Sequence, residues 1–184
     1  MEISRILLIF VIMKTKTLYC FDFDGTLVHS PMPHEGKDIW LKETGIVWPY
    51  NGWWGKSESL DSDVFFVAKH EWVYQRYLEA VADEDNYTIM ATGRLEKVSG
   101  MRKNVEKILN QHNLSFEEIH LNWGGDTFKF KTKLFEQLIE KTNCDNFIMY
   151  DDRHEHLVKF REWAKEQDCE VTVVDIVNKI TNTY

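Results

Sequence analysis

The stretch KTLYCFDFDGT, residues 16–26, decides the fold of this chain. An apolar run with β-branched and aromatic residues ends in two aspartates and a glycine, which predicts a buried strand that runs into a loop. Residues two apart in an extended segment face the same side, so Asp22 and Asp24 share one side while Phe21 and Phe23 point into the core. The sequence therefore predicts a pair of carboxylates at the carboxyl end of a buried strand.

Four later segments also have the pattern of buried strands, and helical patterns lie between them. They cover residues 86–94, 118–121, 146–153 and 169–176. Strands that alternate with helices require right-handed crossovers, which predicts an α/β fold with a five-stranded, mostly parallel sheet and helices on both faces. Ligands of such sheets bind beyond the carboxyl ends of the strands.

An insert follows the first strand. Residues 30–62 hold all three prolines and four of the seven tryptophans without a sustained period, which predicts an irregular insert or small cap. After it, Phe66, Val73, Tyr77 and Ala80 recur at helical spacing. The aromatic residues of 48–58 have two interpretations: a surface that stacks unpaired bases, or a cap packed by its own aromatics.

Composition favours one globular domain, residues 13–184, because 184 residues with 43% hydrophobic content can bury a proper core. Residues 1–12 are apolar but too short for a membrane helix. They are a signal-like core, an added edge strand or, as we favour, sequence upstream of a start at Met13.

Charge and cysteine usage narrow the class of protein further. The net charge of −8 argues against a surface that is basic throughout, so any nucleic-acid site must be local. The cysteines, Cys20, Cys144 and Cys169, are odd in number and widely spaced, which indicates buried thiols in a reducing, cytoplasmic compartment. We expect no membrane association and no obligate protein partner.

Residues suited to phosphoryl transfer end the predicted strands. Thr92 and Arg94 end the second strand, and Asp151 and Asp152 end the fourth. Phosphoryl transfer needs a nucleophile, cations for the phosphoryl oxygens and a proton relay to the leaving oxygen. Asp22 suits the nucleophile that forms an aspartyl-phosphate, Asp24 suits the acid and base, and the hard oxygen ligands suit Mg²⁺.

In this order, "DFDGT", "ATGR", a lysine and "DD" resemble the four motifs of the haloacid dehalogenase (HAD) superfamily of phosphohydrolases. The resemblance implies a three-layer Rossmannoid fold, with Mg²⁺ held by Asp22, the backbone carbonyl of Asp24, Asp151 and Asp152. It also implies that Thr92 binds the phosphoryl oxygens. Further substrate contacts are expected from the motif residues Gly25, Thr26 and Gly93.

Three lysines compete for the third motif. Lys129, Lys131 and Lys133 open the helix before the fourth strand, and helical geometry turns each about 200° from the next. We favour Lys131 as the catalytic lysine and Lys129 as the alternative, with a substrate-binding role for Lys129.

Two details indicate a subfamily. "GDTFKFK" followed by "YDDRHEHLVKF" resembles the HAD domain of Swiss Army Knife RNA-repair proteins. The "GR" and "DDR" sequences resemble the 3′-phosphatase domain of phage polynucleotide kinase-phosphatase, which implies that Arg94 clamps phosphate and that Arg153 also serves the site. His154 and His156 are two apart on a helix and do not share a face, so we expect them at the surface or the substrate rim.

These residues and the resemblance predict a Mg²⁺-dependent phosphomonoesterase that acts on a phosphorylated RNA or DNA end, and we favour a 3′-phosphate. One alternative is a phosphatase of a small metabolite such as a nucleotide or sugar phosphate. Another is a catalytically idle module that binds RNA ends or a protein.

Overall fold

The computed structural model describes residues 16–184, so the interpretations of residues 1–12 lie outside the described residues. The strands are β1 (Thr17–Phe21), β2 (Val28–His29), β3 (Ala68–Lys69), β4 (Tyr87–Leu95), β5 (Glu118–Asn122), β6 (Asn146–Asp151), β7 (Glu170–Asp175) and β8 (Ile180–Thr183). The helices are α1 (Pro33–Thr44), α2 (Glu71–Val81), α3 (Met101–Gln111), α4 (Thr127–Thr142) and α5 (His154–Ala164), and a 3₁₀ turn spans Ser57–Leu60.

The main sheet has six strands in the order β5-β4-β1-β6-β7-β8. β1 lies at its centre and pairs in parallel with both β4 and β6. β5 and β7 extend the parallel arrangement, and only β8 at one edge is antiparallel. The carboxyl ends of β1, β4 and β6 therefore meet at one edge of the sheet, which is where the predicted functional residues lie.

Alternation along β1 sorts its side chains between two cores. Phe21 joins the core beneath α2 and α3, whereas Leu18 and Cys20 join the core beneath α4 and α5. Asp22 continues the alternation of Leu18 and Cys20 and so falls on the α4 side of the sheet. Phe23 is fully buried like Phe21, as predicted. The three-layer α/β fold class is thereby confirmed.

The insert leaves the main sheet and returns through the antiparallel pair of β2 and β3. Between them, the indoles of Trp48 and Trp53 are buried and join the same core as Phe21. Trp53 donates its Nε1–H to the Pro31 carbonyl at 3.0 Å, and its ring fills the space that a side chain at Gly36 would need. The insert is thus packed by its own aromatics against the sheet.

The structure differs from the prediction at three elements. The predicted sheet of five strands has a sixth, β8, whose short polar sequence gave no signal. Helix α1 in the insert was also not predicted, because its residues carry almost no apolar stripe. Helix α2 begins at Glu71, and Phe66, placed in this helix by its spacing, lies before it with 88% of its surface exposed.

Two predictions from composition can be compared with residues 16–184. None of the helices described there is long and apolar enough to cross a membrane. Cys20 and Cys144 are buried, Cys169 is half-buried, and all three thiols are free.

Candidate active site

A cavity of about 430 Å³ opens at the carboxyl ends of β1, β4 and β6. The sheet contributes Asp22, Thr92 and Asp151 to its floor, and the insert contributes Met32 and Trp54 to its wall. The sheet topology explains this convergence, because parallel neighbours end at the same edge. Residues separated by more than a hundred positions in the sequence thus line one cavity.

Lys131 joins two of the strand ends. Its ammonium group donates to Asp22 Oδ1 and to Asp151 Oδ2, both at 2.7 Å. The lysine side chain is 2% exposed, and the helix that carries it covers the face on which Asp22 lies. Asp126 caps this helix by accepting the Lys129 N–H at 2.9 Å. Of the three candidate lysines, Lys131 alone lines this cavity.

Burial and neighbouring charges shift the pKa values of three groups in this site, Asp22, Asp152 and Lys131. Burial raises the pKa of Asp22 to about 8; Lys131 opposes this rise, and Asp151 and Asp152 add to it. Burial and the nearby Asp151 raise the pKa of Asp152 to about 6. Burial would lower the pKa of Lys131, but Asp151 and Asp22 raise it, so the lysine stays charged. The site therefore carries an excess of negative charge that a further cation can offset.

Three carboxylates are close enough to share a metal ion. Oxygens of Asp22, Asp151 and Asp152 lie within 4.8 Å of one another. Carboxylate oxygens are the ligands that Mg²⁺ uses in proteins, usually one or two of them together with water and substrate phosphate. The donor set thus fits a hard divalent cation. The Asp24 side chain is not part of this cluster.

Asp24 is held by a different set of bonds. Arg94 donates through Nε to Asp24 Oδ2 at 2.7 Å and through Nη2 to Oδ1 at 2.8 Å. Ser30 also donates its hydroxyl to Oδ1, at 2.6 Å. A bidentate arginine pair is directional as well as strong, so it fixes the plane of the carboxylate. Asp24 is thereby oriented from two sides.

Arg94 also fastens the insert to the sheet. Its Nη1 donates to the Trp54 carbonyl at 2.9 Å and to the Ser59 hydroxyl at 2.7 Å. Four of the five guanidinium N–H groups are therefore used within the protein. The guanidinium carbon also lies 5.0 Å from the centre of the Trp54 ring. The arginine predicted as a phosphate clamp is engaged with Asp24 and the insert in this structure.

The glycines of the predicted motifs permit close approach. Gly25 has φ of 74°, which L side chains avoid, and a Cβ there would collide with the Asp152 carboxylate. A Cβ at Gly93 would lie 3.0 Å from the Thr127 hydroxyl. Both glycines line the cavity, and the Thr92 hydroxyl accepts the Arg94 backbone N–H at 3.2 Å.

Two predicted substrate contacts are not brought to the cavity. Thr26 is fully buried, and its hydroxyl has no hydrogen-bond partner among the described residues. Lys129 is exposed and does not line the cavity, because its position in α4 is turned away from that of Lys131. Arg153 does reach the rim, where its Nη1 lies 3.4 Å from His156 Nε2. His156 lines the cavity and is mostly buried, whereas His154 is exposed and does not line it.

Several residues of the site were not singled out from the sequence. Ser30 and Ser59 complete the Arg94 and Asp24 network from the insert, and Met32 lines the cavity. Only Ser30 lay close enough to the aspartates in sequence to be suspected. Serines of an irregular insert carry no pattern that distinguishes a bonded hydroxyl from a solvated one.

Comparison with known proteins places these residues in a family. The family model for HAD domain family 1 in Swiss Army Knife RNA repair proteins matches residues 30–183. This range includes Thr92, Lys131 and Asp151 and begins after Asp22 and Asp24. No solved structure gives a significant match to the chain.

Proposed function

Because the chain belongs to HAD domain family 1 of Swiss Army Knife RNA repair proteins, we propose that it removes a terminal phosphate from RNA or DNA, with a 3′-phosphate as the preferred substrate. The observation that carries the phosphatase part is the Lys131 bridge, which holds Asp22 and Asp151 together at the bottom of the cavity. A carboxylate fixed at the floor of a cavity beside a cation is suited to attack a phosphorus atom.

In the first step, the carboxylate of Asp22 attacks phosphorus, the new O–P bond forms the aspartyl-phosphate, and the bond to the leaving oxygen breaks. Asp24 gives that oxygen a proton from Oδ2, which accepts only the Arg94 Nε–H and so keeps a second lone-pair site for that proton. In the second step, water attacks the same phosphorus and Asp24 accepts its proton. Inorganic phosphate leaves and Asp22 is restored.

Positive charge is required at the phosphoryl oxygens throughout. Lys131 supplies one charge, and the hydroxyl of Thr92 and the exposed guanidinium of Arg153 line the same cavity. Asp22, Asp151 and Asp152 would hold Mg²⁺. When bound, the ion would offset repulsion between the carboxylates and the phosphate.

The nucleic-acid part of the proposal is supported by the insert as well as by the family. Of the insert's tryptophans, Trp40, Trp48 and Trp53 join the aromatic cluster, whereas Trp54 lines the cavity and is 39% exposed. An indole at the mouth of a phosphate site offers a flat face for the base next to the reacting phosphate. Arg94 beneath the ring keeps that face in place.

Phosphate release from a substrate panel tests the proposal. The panel holds oligonucleotides with a 3′-phosphate, the same strands with a 5′-phosphate, and small phosphomonoesters, each with Mg²⁺ or with a chelator. We expect Mg²⁺-dependent release, fastest from the 3′-phosphate, and none from Asp22→Asn. Asp175→Asn is the control, since Asp175 is a buried aspartate at the same sheet edge that does not line the cavity. Absence of Mg²⁺-dependent release from every substrate would refute the enzyme assignment.

A small phosphomonoester is the second candidate substrate. The cavity of about 430 Å³ is within the size range of small-ligand sites. Efficient turnover of small esters together with poor turnover of oligonucleotides would favour this candidate and leave the chemistry unchanged. An idle binding module would bind phosphorylated ends without releasing phosphate.

A further inference from the structure

A second cavity, of about 370 Å³, is lined by residues of α3, β5 and α4 and of the loops next to them. Its lining includes Trp123, Phe130 and Lys133. Trp123 is 73% exposed, although burying an indole is among the larger apolar gains available to a fold. We call this the Trp123 cavity.

The loop that carries Trp123 is built to hold this exposed indole. Gly124 and Gly125 take φ values of 132° and 86°, which turn the chain sharply after the strand. The buried side chain of Asn122 accepts the Gly124 N–H at 2.8 Å and donates to the Gly125 carbonyl at 3.4 Å. An amide that is 1% exposed and bonded on both sides fixes the loop, so the exposure of Trp123 belongs to an ordered structure.

The charge around the Trp123 cavity is locally positive in a chain of net charge −8. Glu96 pairs with Arg102 through bonds of 2.8 and 2.6 Å, and Arg102 also pairs with Glu106 at 3.2 Å. Lys133 lines the cavity, and the Lys97 ammonium lies 3.4 Å from the position that a Cβ of Gly124 would take. No ion pair joins either lysine to an acid within residues 16–184. An exposed aromatic ring with unpaired ammonium groups nearby matches the pattern of single-stranded nucleic-acid sites.

The Trp123 cavity adjoins the active site. Thr127, four residues after Trp123, lines the active-site cavity and contacts Gly93. Four residues span at most about 14 Å, so a short run of nucleotides can reach from one cavity to the other. We propose that the Trp123 cavity binds an internal nucleotide of a single-stranded polynucleotide whose terminal phosphate lies over Asp22. Trp123 stacks on the base, and Lys97 and Lys133 contact backbone phosphates. This proposal rests on the proposed function.

The kinetic test uses 3′-phosphorylated oligouridylates of increasing length, from the mononucleotide to the octanucleotide. For the wild type, kcat/KM rises about 5- to 150-fold with length as the second base stacks. Trp123→Ala removes this rise, Trp123→Phe retains most of it, and neither changes turnover of the mononucleotide. Phe66→Ala is the control, because Phe66 is also an exposed aromatic but lies outside both cavities.

A binding test separates this proposal from the catalytic one. A fluorescently labelled octauridylate with a 3′-hydroxyl is titrated into the Asp22→Asn protein at several salt concentrations. Replacing Lys97 and Lys133 by Gln lowers the slope of log affinity against log salt by about 1.4, or about 0.7 per phosphate contact, while Lys37→Gln leaves it unchanged.

Trp123-dependent binding without phosphate release would refute the catalytic assignment and keep the subsite. Rates and affinities that are independent of length and equal in Trp123→Ala would overturn the subsite, and would leave this face to a small ligand or a protein.

Discussion

Replacing the proposed nucleophile should stabilise the metal-free protein. In the wild type, Asp22 and Asp151 share one ammonium group, and Asp152 lies beside them. Asp22→Asn removes one carboxylate and leaves Lys131 paired with Asp151 alone. We therefore expect the variant to lose both catalysis and an unfavourable charge, as is common where function and stability compete.

The expected size follows from the titration of Asp22. Its pKa in the folded protein is raised to about 8, against about 3.9 for an unfolded chain. The folded state holds the extra proton between these values, so the stabilising contribution is complete at low pH and is lost as pH rises towards 8. The loss is on the order of 1 kcal/mol per pH unit, or about 2 to 3 kcal/mol from pH 5 to pH 7. Asp22→Asn lacks this loss.

Urea unfolding in the presence of a chelator, at pH values of about 5, 6, 7 and 8, measures this effect. The free energy of unfolding should fall more steeply with pH in the wild type than in Asp22→Asn, and the two curves should separate as pH rises. Asp175→Asn is the control, since Asp175 is also a buried aspartate but its pKa is lowered, so its removal leaves the slope above pH about 5 unchanged. Parallel curves, or a variant that is less stable than the wild type at pH 8, would refute the reasoning.

Three further outcomes follow from the site. Arg94→Lys breaks the bidentate bond to Asp24 and should lower turnover of alkyl phosphates by about 10²- to 10⁴-fold. Turnover of nitrophenyl phosphate should fall far less, because an alkyl oxygen needs a proton to leave and a nitrophenyl oxygen does not. Equal losses for both substrates would contradict the positioning role of Arg94. Gly25→Ala should lower the free energy of unfolding in urea by about 1–2 kcal/mol and weaken Mg²⁺ binding. Gly45 has a φ of 71° and no neighbour within 4 Å, so Gly45→Ala should lower the free energy of unfolding without changing Mg²⁺ binding. Mg²⁺ affinity should rise about tenfold per pH unit for each proton that the ion displaces between pH about 6 and 8. Calorimetry in buffers of different ionisation enthalpy measures the number of protons released. Binding without proton release would contradict the raised pKa values of Asp22 and Asp152.

The parallel sheet could be predicted because its strands are fully buried. Segments such as residues 86–94 and 146–153 carry near-continuous apolar runs, and burial on both faces is what such runs indicate. β8 and α1 were missed for the opposite reason. The residues Ile180–Thr183 are mostly exposed and polar, and Gly36 is the only buried residue of α1. Elements that lie at an edge, or that bury few residues, show little hydrophobic periodicity in their sequences.

The site residues at the ends of strands could be predicted from the sequence, whereas those in the irregular insert could not. Asp22, Thr92 and Asp151 follow from sheet topology, whereas helical geometry separates Lys131 from Lys129 and Lys133 without deciding which of them faces the site. The contacts of Arg94 with Ser59 and the Trp54 carbonyl depend on the path of an irregular insert. Nothing in local sequence encodes that path.

The bonds of Arg94 also bear on how this insert can be exchanged between proteins. The insert is continuous in sequence between β2 and β3, yet one of its anchors, Arg94, lies on β4. Grafting residues 30–67 onto another core would leave Ser59 and the Trp54 carbonyl without their donor and would free the Asp24 carboxylate. The smallest transplantable unit is therefore discontinuous: it consists of the insert and of Arg94 on β4, whose bonds join the insert to Asp24.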